Sequence, residues 1–176
     1  MKISVANARW PELFNVERAS LRSLEPSPFL DIEHFGSTAV PGLAAKPVID
    51  IMASVAGTDA LDRAEPALAA LGYHRLEVGF RKRRFYRKAE ERSDEAVNLH
   101  VIPCERWANK NERLFRDWLI ERPEVASAYR ALKEELAARF PVDPTAYTTG
   151  KTEFIRQTVN QARRHLGLPA ETNWDE

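Results

Sequence analysis

The residues best suited to chemistry lie together in IEHFGSTAVPGLAAKPVID, from Ile32 to Asp50. Gly36 permits a tight turn, and Ser37 and Thr38 follow it with hydroxyls and backbone N–H groups at a candidate helix start. Unpaired N–H groups and a helix dipole both favour negative charge, so the arrangement suits a phosphate, to which Lys46 can add a point charge. Asp50 sits among apolar residues in VIDIM, an expensive place for a carboxylate that lacks a partner or a metal. Glu33 lies three residues before Gly36. Two acids on adjacent strands beside a phosphate-holding turn could bind Mg²⁺ and activate an NTP for phosphoryl or nucleotidyl transfer. On that expectation Asp50 and Glu33 are catalytic candidates, and Asp50 is the metal ligand. A second Asp two residues from Asp50 would share its face of the strand, but Val48 and Met52 stand there.

Three further groups bear on such a site. His100 alternates with Asn98 in NLHVI, so the two share a face; if Asp50 is on that face, His100 could be a ligand, a general base or a phosphate donor. RKRRFYRK, from Arg81 to Lys88, sets six basic residues around Phe85 and Tyr86, a pattern that can hold a triphosphate; Arg84 is the candidate for neutralising phosphate near the turn. His34, His100 and Asp50 form a lower-ranked set for a transition-metal hydrolase, because His34 alternates away from Glu33. Cys104 has no triad partner in the sequence and GxxxxGK is absent, so neither a cysteine hydrolase nor a Walker loop can be assembled.

The elements that must position these residues follow from periodicity. A helix is expected from Pro11 to about Leu24, and strands from Phe29 to Phe35 and Pro47 to Val55. A helix from Thr58 to Leu71, interrupted or started by Pro66 and closed by Gly72, precedes three strands, HRLEV, RFYRKA and AVNLHVI. Beyond Pro103 the pattern is helical: one helix carries Leu114, Phe115, Trp118 and Leu119, a second runs from about Pro123 to Phe140, and a third holds Phe154 to Leu166. The reading is an α+β domain over residues 1–168. Its mixed or antiparallel sheet lies before about residue 103, helices over 104–168 cover one side, and 169–176 form a tail.

Composition limits the remaining possibilities. The 176 residues hold 26 basic and 26 acidic side chains, so net charge gives no reason to invoke nucleic acid or a membrane. There is no apolar run of about 18 residues and no secretory-type start, which leads to an expected cytoplasmic protein. One cysteine excludes an internal disulfide and a cysteine-cluster zinc site.

The segments IEHFGSTAVPGLAAKPVIDIM, NLHVIP, LFRDWLIERPEVASAYRALKEEL and YTTGKTEF resemble the GrpB-like family, within the nucleotidyltransferase-like superfamily. The resemblance implies a small nucleotidyltransferase-type sheet followed by helices, and domains of this kind occur fused to dephospho-coenzyme A kinase. Active nucleotidyltransferases carry a Gly-Ser turn, two acids one residue apart and a third on a later strand. Here Gly36, Ser37 and Asp50 match, while Val48 or Met52 takes the partner position and Asn98 and His100 stand on the later strand. Tyr147 and Lys151 also match the family pattern, the tyrosine suited to stacking on a base and the lysine to reaching a phosphate. The implied function is a nucleotidyltransferase or nucleotide-binding protein using Mg²⁺ and an NTP, with a small nucleotide or phosphorylated ligand as partner. The alternative is a catalytically silent ligand-binding or folding-assistance module on the same fold.

Overall fold

The computed structural model describes residues 3–80, 82–89, 96–108, 110–172 and 174. Helix α1 (Trp10–Arg22) leads into β1 (Phe29–Phe35), a 3-10 turn at Ser37–Ala39 and β2 (Val48–Val55). Helix α2 (Thr58–Ala70), with Pro66 inside it, is followed by β3 (His74–Arg75), β4 (Arg84–Ala89) and β5 (Ala96–Pro103). Then come α3 (Asn111–Glu121), α4 (Pro123–Arg139), α5 (Pro144–Gly150) and α6 (Thr152–His165). The sheet order is β1-β2-β5-β4-β3, antiparallel except for the parallel β2–β5 pair, so the fold is α+β with a mixed sheet.

Strand alternation divides the sheet into two unlike faces. On β2, Ile49, Ile51 and Ala53 join Leu99 and Val101 of β5 and Tyr86 of β4 in a core with Trp10, Phe14 and Leu21 of α1 and Leu61 and Leu68 of α2. Fully burying each of these larger apolar side chains contributes roughly 1.5–3 kcal/mol, which seats both helices on that face. The intervening residues, Asp50 and Met52 of β2 and Asn98 and His100 of β5, project to the other face, toward α3–α6.

The back helices reach this second face through polar anchors rather than a continuous apolar layer. Arg113 and Arg116 of α3 hold Glu33 of β1, and Lys133 of α4 reaches Ser37. A separate apolar cluster of Val40, Leu43, Leu119 and Tyr129 joins the turn region to α3 and α4. A cleft therefore remains between the sheet and the helices.

Two expectations need correction. HRLEV forms strand only at His74–Arg75, because the segment leaves the ladder before Gly79, which adopts φ +81°. The region ahead of the last helix contains a separate helix, α5, begun by Pro144 and capped by Asp143, whose Oδ1 accepts from the Ala146 N–H at 2.9 Å. Gly150 lets α5 close on α4, since a Cβ there would lie 2.6 Å from Leu136 Cδ2. That approach holds Lys151, between α5 and α6, over the cleft. Arg81 of the basic run, and Asn173, Asp175 and Glu176 of the tail, lie outside the described residues.

Candidate functional site

Register brings the turn and the acid together. In the β1–β2 ladder Phe35 stands opposite Asp50, so the next residue, Gly36, turns directly over the carboxylate. Its φ is +72°, and a Cβ on it would stand 2.5 Å from Asp50 Oδ2, so a side chain there must displace the acid. Thr38 Oγ1 donates to the Val48 carbonyl at 3.0 Å and lies 2.9 Å from His34 Nε2, fixing the turn to β2. The parallel β2–β5 pairing sets Asn98 beside Asp50, and Asn98 Nδ2 donates to Asp50 Oδ1 at 2.8 Å. On the far side of β5, Arg87 of β4 stands opposite Asn98. One row of the sheet thus reads Phe35, Asp50, Asn98, Arg87.

The helices close the site with more cations. Lys133 is 2% exposed; its Nζ donates to Ser37 Oγ at 3.1 Å and to the Ala44 carbonyl. Lys46 and Lys151 place their Nζ atoms 4.7 Å and 4.5 Å from the centre of the Tyr147 ring, within cation–π range. A cavity of about 310 Å³ lies between these groups, lined by Ser37, Thr38, Lys46, Asp50, Arg87, Asn98, Lys133, Tyr147 and Lys151. A second, of about 440 Å³, shares Ser37, Asp50 and Lys151 with it and is bordered by the rings of Phe35, Phe80, Phe115, Tyr129 and Trp174.

The electrostatics follow from four cations and one carboxylate in a confined space. Burial lifts the Asp50 carboxyl to about 6, against the opposing pull of the Asn98 amide and the charges of Lys151 and Arg87. Burial lowers Lys151 to about 8, assisted by Lys46 and opposed by Asp50. Lys133 also falls to about 8, through burial and then the Lys151 charge. Burial lowers Lys46 as well. Such a site favours an anion that keeps the ammonium groups charged.

Of the residues expected from sequence, Gly36, Ser37, Thr38, Lys46, Asp50, Tyr147 and Lys151 converge on the two cavities. Arg84 does not, because alternation points it to the α2 face, where it is paired with Asp62 and lies 3.5 Å from Glu65. Arg87, on the opposite face of the same strand, takes that place. Glu33 shares the Asp50 face but is held by Arg113 at 3.0 Å and Arg116 at 2.8 Å. Burial would raise its pKa, yet the two guanidinium groups outweigh that and lower it, leaving a fixed carboxylate that anchors α3.

His100 is on the Asp50 face, opposite Met52, but it is enclosed by Phe35, Phe80 and Phe85 at 5.2, 5.7 and 4.7 Å between ring centres. Burial, with Arg83 and Lys110, lowers it to about 3, so it is a neutral packing group outside both cavity linings. His34 points to the α1 face, stacked on Phe14 at 4.9 Å, and burial with the Arg116 charge lowers it to about 4. Among the described residues, no three His, Cys, Asp or Glu side chains cluster to hold a metal, which removes the transition-metal set. A resident two-metal Mg²⁺ centre does not fit either: one carboxylate, already bonded to Asn98, stands among four cations, whereas Mg²⁺ binds through carboxylates, phosphates and water.

Sequence reasoning passed over Lys133 and Arg87. Lys133 had a readable signal, since it follows Tyr129 by four and precedes Leu136 by three, on the buried stripe of α4. Arg87 required the β4–β5 register.

Comparison with known proteins places these features in context. The family described as GrpB protein matches residues 1–161. The chain is 32% identical over 165 residues to UPF0157 protein YqkA of Bacillus subtilis, covering 93% of this chain and 48% of that one; it therefore spans about half that relative's length. It is also 31% identical over 158 residues to a dephospho-CoA kinase of Mycolicibacterium paratuberculosis, covering 76% of this chain and 39% of the kinase. The crystal structure of conserved protein GrpB from Enterococcus faecalis matches with TM-score 0.82 and 29% identity, over 94% of this chain and 99% of that one. A Cid1 poly(U) polymerase mutant bound to MgATP matches with TM-score 0.56 and 13% identity, over 84% of this chain and 50% of that one, which shows a shared nucleotidyltransferase-like fold. Among the described residues no helix is long and apolar enough to cross a membrane.

Proposed function

The chain belongs to the GrpB family, and we propose that it binds the phosphates of a nucleotide or a related phosphorylated small molecule in the basic cavity beside the Gly36–Ser37 turn. The observation that carries this reading is the convergence of Lys46, Arg87, Lys133 and Lys151 on one cavity of about 310 Å³ in which Asp50 is the sole carboxylate among the described lining residues. Two of these lysines are lowered to about 8 by burial, so at neutral pH they stay largely charged but poorly hydrated, and a polyanion supplies the counter-charge that water does not. The nucleotidyltransferase-like fold and the kinase named among the relatives accord with a nucleotide-type ligand.

Mg²⁺, if it enters, enters on the ligand's phosphates, because the protein supplies one carboxylate for it. Calorimetric titration with inorganic tripolyphosphate in EDTA tests the reading. Binding is expected, and Lys151→Gln should weaken it about tenfold or more, the scale of one charged hydrogen bond. No binding of tripolyphosphate or ATP, with or without Mg²⁺, would refute it.

Nucleotidyl transfer is the second reading, favoured by a carboxylate held at about 6, close to the value a general base needs near neutral pH. Pyrophosphate release from an NTP that depends on Asp50 would establish it. Ligand binding with no turnover across acceptors would support the silent module.

A further inference from the structure

The second cavity gains one of its walls from the end of the chain, where the sequence pointed only to a tail. Trp174 lies beyond residues 1–161, the span of the family match. The segment that carries it is fastened to the body: Arg163 Nε donates to the Pro169 carbonyl at 2.7 Å, and the Glu171 N–H donates to Asn160 Oδ1 at 2.8 Å. Asn111 Nδ2 adds a bond to Glu171 Oε2 at 3.3 Å. The Trp174 indole N–H is itself satisfied by the Glu171 carbonyl at 3.0 Å. With that donor used and the Arg156 guanidinium over the ring at 5.7 Å from its centre, what Trp174 can offer a ligand is the ring surface that Arg156 leaves uncovered.

Trp174 borders the 440 Å³ cavity and also a surface groove beside Asn160, so it stands between the two. The cavity adjoins the basic site, sharing Ser37, Asp50 and Lys151 with it, and its volume falls within the usual range for small-molecule sites. Phe80 and Trp174 bring aromatic surface from the sheet side and the tail. A basic cavity beside an aromatic one fits a ligand with phosphates at one end and a flat ring at the other.

We propose that this second cavity takes the ring of a nucleoside polyphosphate, with Trp174 as a stacking wall and a specificity-determining residue. The proposal rests on the phosphate reading above and adds a ring site whose Trp174 wall lies outside the family match. Stacking accepts any base, because each presents a π face, so discrimination is expected between nucleotides and inorganic polyphosphate more than among bases.

The test titrates the wild-type protein, Trp174→Ala and Trp174→Phe in EDTA with ATP, GTP, CTP, UTP and inorganic tripolyphosphate. In Trp174→Ala, the affinity for at least one nucleotide relative to tripolyphosphate should fall about tenfold, the scale of one base–aromatic stack. Tripolyphosphate binding itself should be unchanged, and Trp174→Phe should retain most of the preference. The proposal is overturned if Trp174→Ala leaves every nucleotide-to-tripolyphosphate ratio unchanged, or if it weakens all five ligands equally. Tripolyphosphate binding without any Trp174-dependent nucleotide preference sinks the ring site alone. Failure of tripolyphosphate and all four nucleotides to bind the wild type removes both readings.

Discussion

Replacing Asp50 by Asn tests the electrostatics of the site directly. Asn keeps the shape and can still accept from Asn98 Nδ2, so the main change is the loss of a titratable charge. Burial raises the Asp50 pKa from the usual 3.8 to about 6. The folded state therefore holds the proton more tightly than the unfolded chain. The stability this confers is complete below the unfolded value and is lost as pH rises through the folded one. At 1.36 kcal/mol per pK unit, the rise from 3.8 to about 6 costs wild-type stability about 3 kcal/mol once Asp50 is ionised.

Urea denaturation of wild type and Asp50→Asn at about pH 4 and about pH 7.5 measures the difference, with any fixed packing offset cancelling between the two conditions. The variant should gain about 2.5 kcal/mol relative to wild type across that interval, slightly less than the full amount because pH 4 is just above the unfolded value. A flat difference, or a wild type that gains on the variant with rising pH, refutes the argument. The substitution also removes the one negative charge among the described residues lining the basic cavity. Tripolyphosphate in EDTA should bind Asp50→Asn more tightly than wild type, and equal or weaker binding would contradict the charge argument.

Other perturbations separate the groups in the cavity. Lys133 and Lys151 sit at about 8 without ligand, and a polyanion raises both, so tripolyphosphate affinity should fall as pH rises above 8. Proton uptake near that pH would appear as a calorimetric heat that varies with the buffer's ionisation enthalpy, and a pH-independent affinity would contradict the assignment. Arg84→Gln should leave tripolyphosphate affinity within about twofold, while Arg87→Gln should weaken it about fivefold, the part of a charged hydrogen bond that an exposed side chain retains. Equal effects measured by titration would mean that the strand's two faces do not divide the site as its register requires.

That division also explains how far the sequence could be read. Phe29–Phe35 has the expected strand limits because Pro28 and Gly36 flank it, and Arg84–Ala89 has them because its aromatic pair stands out within a charged run. Ile32–Asp50 was legible as a site because its residues are close in sequence and the turn chemistry of Gly36 is local. Which side chains complete that site depends on pairings between distant segments. Parity along β4 places Arg84 and Arg87 on opposite faces, but only the β5 register shows that Arg87 joins Asp50, through Asn98. Glu33 satisfied the parity requirement and still left the site, because Arg113 and Arg116 arrive from α3, about eighty residues downstream.

The missing second acid has the same kind of physical reading. At the positions two residues either side of Asp50, Val48 and Met52 bring no charge, and the nearest polar partner across the ladder is the neutral Asn98. Positive charge comes instead from four different elements: Lys46 before β2, Arg87 on β4, Lys133 on α4 and Lys151 between α5 and α6. A cavity assembled this way repels a free divalent cation and attracts a polyanion, whatever chemistry follows. The nucleotidyltransferase-like sheet thus retains the turn that suits a phosphate, while the helices supply by lysine the positive charge that a pair of acids would otherwise recruit as metal.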